Sequence, residues 1–276
     1  MLLRFASLVC LIATTLTTCL LPAQTPASPE LIDELVANAA LYNATLPSIT
    51  ANETIESEAS YLIFKKKALA KGTFRVVRDP NGGPLKESRQ ITVLDGKPVA
   101  EGQQVHLPTT LFGGFGRFQE MFFTPAHRPC YTFTRLSELG PGGTWQIAIA
   151  SRPEDAAPPN CASQAPGVTG IARVDPATHQ LVHLERTVPE EAAAQRHLAP
   201  FASVDIGPAT IGDKTFWLPT LVIGTFNNGK DKGRFVAHYS DYHRFTGSVT
   251  LLPGVTEVDP QAPDAKPDAT PHDDQF

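Results

Sequence analysis

FASVDIGPATIGDKTFWLPTLVIGTFNNGKDKGRFVAHYSDYHRFT, residues 201–246, is the stretch on which the fold turns. It contains three long runs, 201–211, 215–225 and 233–246, parted by Ile211-Gly212-Asp213-Lys214 and Asn227-Asn228-Gly229-Lys230. Gly, Asn and Asp supply the positive φ angles that tight hairpins require. In the last run a period of two puts Phe235, Ala237, Tyr239, Asp241, His243 and Phe245 on one face and Arg234, Val236, His238, Ser240, Tyr242 and Arg244 on the other. Long alternating runs joined by such turns predict neighbouring antiparallel strands.

The same punctuation extends toward the N-terminus. Asp79-Pro80-Asn81-Gly82-Gly83-Pro84 separates 73–78 from 88–94, Asp95-Gly96 follows, and Asp175-Pro176-Ala177-Thr178 separates 170–174 from 180–187. Five turn signals in succession describe a meander rather than βαβ units. One helix precedes it. Ser28 caps, Pro29 takes the first helical position and Glu30 sits in the first turn. Leu31, Ile32, Leu35, Ala39 and Leu41 form the apolar stripe, and Leu46-Pro47 ends the helix near Asn43.

The segment 111–123 carries five of the 15 phenylalanines. A short helix from about Phe115 to Phe122 would place Phe115, Phe118, Met121 and Phe122 under the sheet, as a plug of core or as the lid or floor of an apolar pocket. The expected fold is therefore mainly β (α+β): a curved antiparallel meander sheet or half-barrel, with an N-terminal helix and a short Phe-rich helix packed on its concave face.

The ends of the chain read differently. Arg4, the apolar run 5–21 and Ala23 make a secretory signal over residues 1–23; its four threonines dilute it below what a membrane span needs. Leu16-Thr17-Thr18-Cys19 loosely resembles a lipoprotein box, with Thr18 a poor match for the small residue expected there. Residues 24–252 form one β-rich domain. The remaining 253–276, rich in Pro, Asp and Ala, has no apolar period and is expected to be disordered. That tail alone carries −5, equal to the net charge of the whole chain. The near-neutral body has no basic field to gather phosphates, which argues against nucleic acid and, for the same reason, disfavours anionic membrane surfaces. Cys130 and Cys161 remain beyond the signal, and an exported chain with two cysteines is expected to join them in a disulfide.

No catalytic constellation emerges. In His238-Tyr239-Ser240-Asp241-Tyr242-His243, strand alternation separates His238 and Ser240 from Asp241 and His243. His179, His183 and Glu185 share a face, but a straight strand holds the two histidines about 13 Å apart, too far to ligate one ion. Glu56 and Glu58, like Glu190 and Glu191, read as solvated edge charges. The sequence lacks a Gly-x-Ser-x-Gly elbow, a His-Glu-x-x-His pair and a complete phosphate-binding Gly-x-x-x-x-Gly-Lys-Ser/Thr. No metal, cofactor or catalytic residue is expected.

Leu46-Pro47, the segment 112–123, Gly170-Ile171-Ala172-Arg173-Val174-Asp175-Pro176, Val204-Asp205-Ile206-Gly207-Pro208, Phe216-Trp217-Leu218-Pro219 and Tyr239-Ser240-Asp241-Tyr242-His243-Arg244-Phe245 together resemble a group of exported acidobacterial proteins with no assigned activity. The strand-Asp-Pro-turn-strand hairpin with long paired strands resembles the outer-membrane lipoprotein carrier (LolA-like) fold. That resemblance implies a half-barrel around an apolar cavity for acyl chains, with lipid, lipoprotein acyl chains or another envelope protein as partner and no catalysis. Three functions stand open: an envelope protein binding an apolar ligand among Phe115, Phe118, Met121 and Phe122; a structural or interaction module; and an exported hydrolase, for which the sequence supplies no constellation.

Overall fold

The computed structural model describes residues 25–61, 64–79, 85–110, 114–136, 138–163, 166–196, 198–227 and 231–245. Residues 1–24, on which the expected secretory signal and Cys10 and Cys19 fall, the turn residues 80–84 and 228–230, residues 111–113 and the tail from 246 lie outside the described residues.

In chain order the elements are β1 (Thr25–Pro26), α1 (Pro29–Thr45), β2 (Ile49–Tyr61), β3 (Phe64–Val77), β4 (Lys86–Leu94) and β5 (Lys97–Pro98). A 3-10 helix, Phe115–Met121, leads to β6 (Tyr131–Arg135), β7 (Trp145–Ser151), β8 (Thr169–Val174) and β9 (Leu181–Thr187). Then come α2 (Glu190–Gln195), β10 (Phe201–Ile211), β11 (Lys214–Asn227) and β12 (Asp231–Arg244). All twelve strands form one open, curved antiparallel sheet, ordered β1-β6-β7-β8-β9-β10-β11-β12-β2-β3-β4-β5. The mainly-β fold class read from the sequence is the one observed.

Each of the five turn signals joins two strands that pair as antiparallel neighbours. Asp95 and Gly96, with φ of 49° and 77°, make the left-handed turn between β4 and β5. What turn chemistry does not reveal is how the two meanders meet. β12 lies against β2, pairing Gly233 with Ala59 and Phe235 with Ser57. This contact turns β2–β5 and β6–β12 into a single surface. Bulges at Lys71/Gly72, Arg173/Val174, Asp205/Ile206 and Ser240/His243 add twist and bend.

The core fills the inner face, where Ile49, Ile55, Ile147, Leu184, Leu218 and Phe235 are almost fully buried. Over it lie α1 and the 3-10 helix, in the same apolar cluster. Ser28 Oγ accepts from the Leu31 N–H, as expected of the cap. The helix runs two residues past Asn43 and buries Leu31, Ile32, Leu35, Ala39 and Tyr42. Leu41 is exposed and does not belong to the stripe: one residue further round, Tyr42 occupies the buried row three positions on from Ala39.

Two sequence expectations are corrected. Glu56 and Glu58 are not edge residues, because β2 lies inside the sheet between β12 and β3; Glu58 pairs with Lys65 and Lys67 of β3. The alternation of β12 fails after Tyr239. The bulge, with Asp241 at φ 59°, turns Asp241 and His243 outward and Tyr242 inward, where its hydroxyl donates to the Pro219 carbonyl at 2.6 Å. Cys130 and Cys161, 31 residues apart, form the expected disulfide.

Candidate functional site

The Phe-rich segment is packed shut. Phe115, Phe118 and Phe122 are 7%, 2% and 0% exposed, and Met121 is partly buried against the same core. Phe118 meets Tyr42 edge-on, and Phe122 meets Tyr131 at 4.9 Å between centroids. A buried carboxylate holds the start of this helix: Glu87 on β4 accepts from the Phe115 N–H at 3.0 Å and the Gly116 N–H at 2.6 Å. Burial pushes the Glu87 carboxyl up to about 7; the two N–H bonds, with Arg89 and Arg117 nearby, oppose that rise. Beside it, the fully buried Glu53 pairs with Arg89 at 2.5 Å, and Arg89 reaches the Tyr239 hydroxyl at 3.4 Å. The sequence reading missed this polar group. Its one signal is parity, since Glu53 stands in the inward row of β2 with Ala51, Ile55 and Ala59.

Open space lies elsewhere. A cavity of about 470 Å³ opens at the end of the sheet where β2, β11 and β12 meet the loop at Pro108–Thr110 and the region after α2. Its apolar walls are Ala59, Tyr61, Pro108, Leu198, Pro200 and Phe226. None of Phe115, Phe118, Met121 and Phe122 lines it. A second cavity of about 420 Å³ lies between α1 and β11, beside Leu41, Tyr42, Gln119, Lys214 and Trp217. Its walls mix amide, hydroxyl and amine groups with the rings, so the first cavity is the better fit for an apolar molecule.

Specific contacts build the first cavity. Ser57, buried in β2, accepts the Thr109 N–H and donates to the Thr109 carbonyl, both at 2.7 Å. Thr109 Oγ1 donates to the Glu58 carbonyl at 2.6 Å, and the Tyr61 hydroxyl reaches the Pro108 carbonyl at 3.4 Å. The loop is thereby tied along β2. On the other side Pro189 starts α2, Ala192 and Ala193 are buried, and the Leu198 N–H returns to the Ala193 carbonyl at 2.9 Å. Asn227 Nδ2 donates to Glu190 at 2.7 Å, joining α2 to the end of β11. Lys232 is the one Lys, Arg, Asp or Glu in the lining, so the cavity is apolar with a basic rim.

The histidine clusters are separate from this space. His243 Nε2 meets Asp241 Oδ1 at 2.9 Å, with Asn52 donating to the same carboxylate, on the exposed outer face. His179 and His183 take different partners. His179 pairs with Glu34 of α1 at 2.7 Å and tilts against Trp145. His183 lies between Asp205 and Glu185, the latter at 2.7 Å, with Arg173 at 3.6 Å from Glu185. Among the described residues no group of three or more His, Cys, Asp or Glu could hold a metal ion, and no helix is long and apolar enough to cross a membrane.

No protein-family model and no curated protein matches the chain, so the acidobacterial resemblance gains no support from either comparison. Similar solved structures include a domain named for outer membrane lipoprotein sorting from Vibrio parahaemolyticus. It has 10% identity and a TM-score of 0.37, over 79% of this chain and 94% of that one. A DUF1329 family protein from Desulfovibrio piger has 10% identity and a TM-score of 0.43, over 82% and 95%. A LolA superfamily protein from Nitrosomonas europaea has 10% identity and a TM-score of 0.33, over 79% and 94%. None of the three scores reaches one half, and the architecture of this chain rests on its own strand pairing.

Proposed function

We propose that this is a non-catalytic envelope protein that holds an apolar ligand of the acyl-chain class in the cavity at the end of β2, β11 and β12. The observation that carries the reading is the cavity itself: about 470 Å³ of open space walled by Ala59, Tyr61, Pro108, Leu198, Pro200 and Phe226. That volume falls within the range of small-molecule sites, which are concave, mostly apolar and carry few polar groups. Lys232 at the rim supplies a cation for an acidic head. An envelope location agrees with the Cys130–Cys161 disulfide, a bond suited to an oxidising compartment, and with the secretory pattern of residues 1–23.

Titration with a fluorescent fatty acid tests the reading. The wild-type chain is expected to bind it saturably. Ala194 is an exposed residue of the cavity wall, so Ala194→Trp fills the space without entering the core. Loss of one good apolar contact surface corresponds to about tenfold weaker binding. Saturable binding unchanged in Ala194→Trp would place the ligand elsewhere, and no saturable binding by the wild type would remove the reading.

A further inference from the structure

Phe64 is 68% exposed, the most exposed large apolar side chain among the described residues, and its register partner Tyr61 is 39% exposed. The pair stands at the end of the β2–β3 hairpin on the inner face, where Tyr61 also lines the cavity. Two exposed rings side by side at a strand end, next to a run of lysines, have the composition of a membrane-interface anchor.

The charge around the pair fixes what that contact is. The chain continues Lys65-Lys66-Lys67, all exposed. Lys65 and Lys67 point to the outer face and share one acid, Glu58, while Lys66 stands on the inner face opposite Ala59. Next to this hairpin β12 begins Asp231-Lys232-Gly233-Arg234. Along these two strand ends the cations Lys65, Lys66, Lys67, Lys232 and Arg234 outnumber the acids Glu58 and Asp231 together with Glu190, which Asn227 ties to the same end, although the chain as a whole carries −5. The near-neutral average of the body conceals a local reversal of sign.

We infer that this end of the sheet docks on an anionic lipid bilayer, with Phe64 and Tyr61 at headgroup depth and Lys65, Lys66 and Lys67 reaching the lipid phosphates. Aromatic rings settle at the membrane interface, and lysine stems lie along apolar surface while their ammonium groups reach outward. A protein partner fits less well, since protein interfaces are depleted in lysine. The cavity opens at the same end, so docking presents its mouth to the bilayer; that last step rests on the proposed ligand, whereas the docking rests on the hairpin alone.

Vesicle flotation of protein recovered from the envelope of an expressing bacterium tests it. The protein is expected to float with phosphatidylcholine vesicles containing about 30% phosphatidylglycerol and to float much less with phosphatidylcholine alone. Lys65→Gln/Lys66→Gln/Lys67→Gln and, separately, Phe64→Ser should each weaken binding to the anionic vesicles about tenfold or more. Both variants alter exposed positions, and both should keep the wild-type melting temperature and wild-type uptake of fluorescent fatty acid in vesicle-free buffer. Wild type that stays with the unbound fraction, or that floats equally with both vesicles or regardless of these substitutions, overturns the docking. Fatty-acid uptake without flotation would sink the docking and leave the ligand reading standing. Flotation by the anionic-selective, hairpin-dependent route without uptake would support the docking and sink the ligand reading.

Discussion

Gly233 lies so close to Thr109 that a Cβ built on it would sit 2.3 Å from the Thr109 Oγ1 and 2.9 Å from its Cγ2. The absence of a side chain in β12 is what lets the loop of Pro108–Thr110 close against β2 and form one wall of the cavity. Gly233→Ala should therefore displace the loop, at a cost of about 1–3 kcal/mol in stability and with weakened fatty-acid binding. Thr109→Ala in the same chain removes both clashing atoms and should restore much of the loss, less about 1 kcal/mol for the missing bond to the Glu58 carbonyl. Urea unfolding of the two single variants and the double variant measures this coupling. Strict additivity would refute it.

Glu87 makes stability depend on pH in a definite direction. Its carboxyl is pushed from the ordinary value of 4.5 up to about 7, first by burial. Between those values the unfolded chain has released the proton and the folded chain keeps it. The folded state then binds more protons, so stability falls as pH rises from about 4.5 to 7. The contribution is at most about 3 kcal/mol, present in full below the lower value and lost above the upper one. Glu87→Gln should flatten this part of the profile in chemical unfolding measured across that window. A profile unchanged by the substitution would mean that Glu87 is ionised throughout.

The Glu53–Arg89 pair is buried, and breaking it should cost more than replacing it. Glu53→Ala leaves the Arg89 guanidinium without its carboxylate and is expected to destabilise by about 3–5 kcal/mol. Glu53→Leu/Arg89→Leu removes both charges and should recover a large part of that. A double variant as unstable as the sum of its single changes would show that the pair's packing, not its charge, carries the effect.

Cys130→Ser/Cys161→Ser opens a cross-link spanning 31 residues. The chain-entropy model gives a loss of about 3–4 kcal/mol. Comparing thermal unfolding of this variant with oxidised wild type checks the value, and equal melting temperatures would contradict it.

Local chemistry explains which parts of this architecture could be read from the chain. Turn residues such as Asp95-Gly96 and Ile211-Gly212-Asp213-Lys214 act over four positions, so the hairpins they form were legible. The Ser28 cap and the Leu46-Pro47 stop were legible for the same reason. The β12–β2 pairing was not, because it joins residues far apart in the chain through edges that carry no mark of their partner. The bulge after Ser240 was equally hidden, and with it the inward turn of Tyr242. At the site, the abundance of phenylalanine in 111–123 signals burial; burial alone does not separate core from cavity wall. The cavity is lined instead by short, scattered contributions from the Pro108 loop, α2, β2, β11 and β12, which only tertiary structure brings together. Gly233 and Ser57, which hold that wall in place, look unremarkable in sequence.

Native mass spectrometry of the protein purified without detergent from a heterologous bacterial envelope tests the ligand reading most directly. The account predicts a population heavier than the bare chain by the mass of one acyl-chain lipid, and loss of that population in Ala194→Trp. A wild-type spectrum showing the bare chain alone, from a host whose envelope is rich in such lipids, would contradict it.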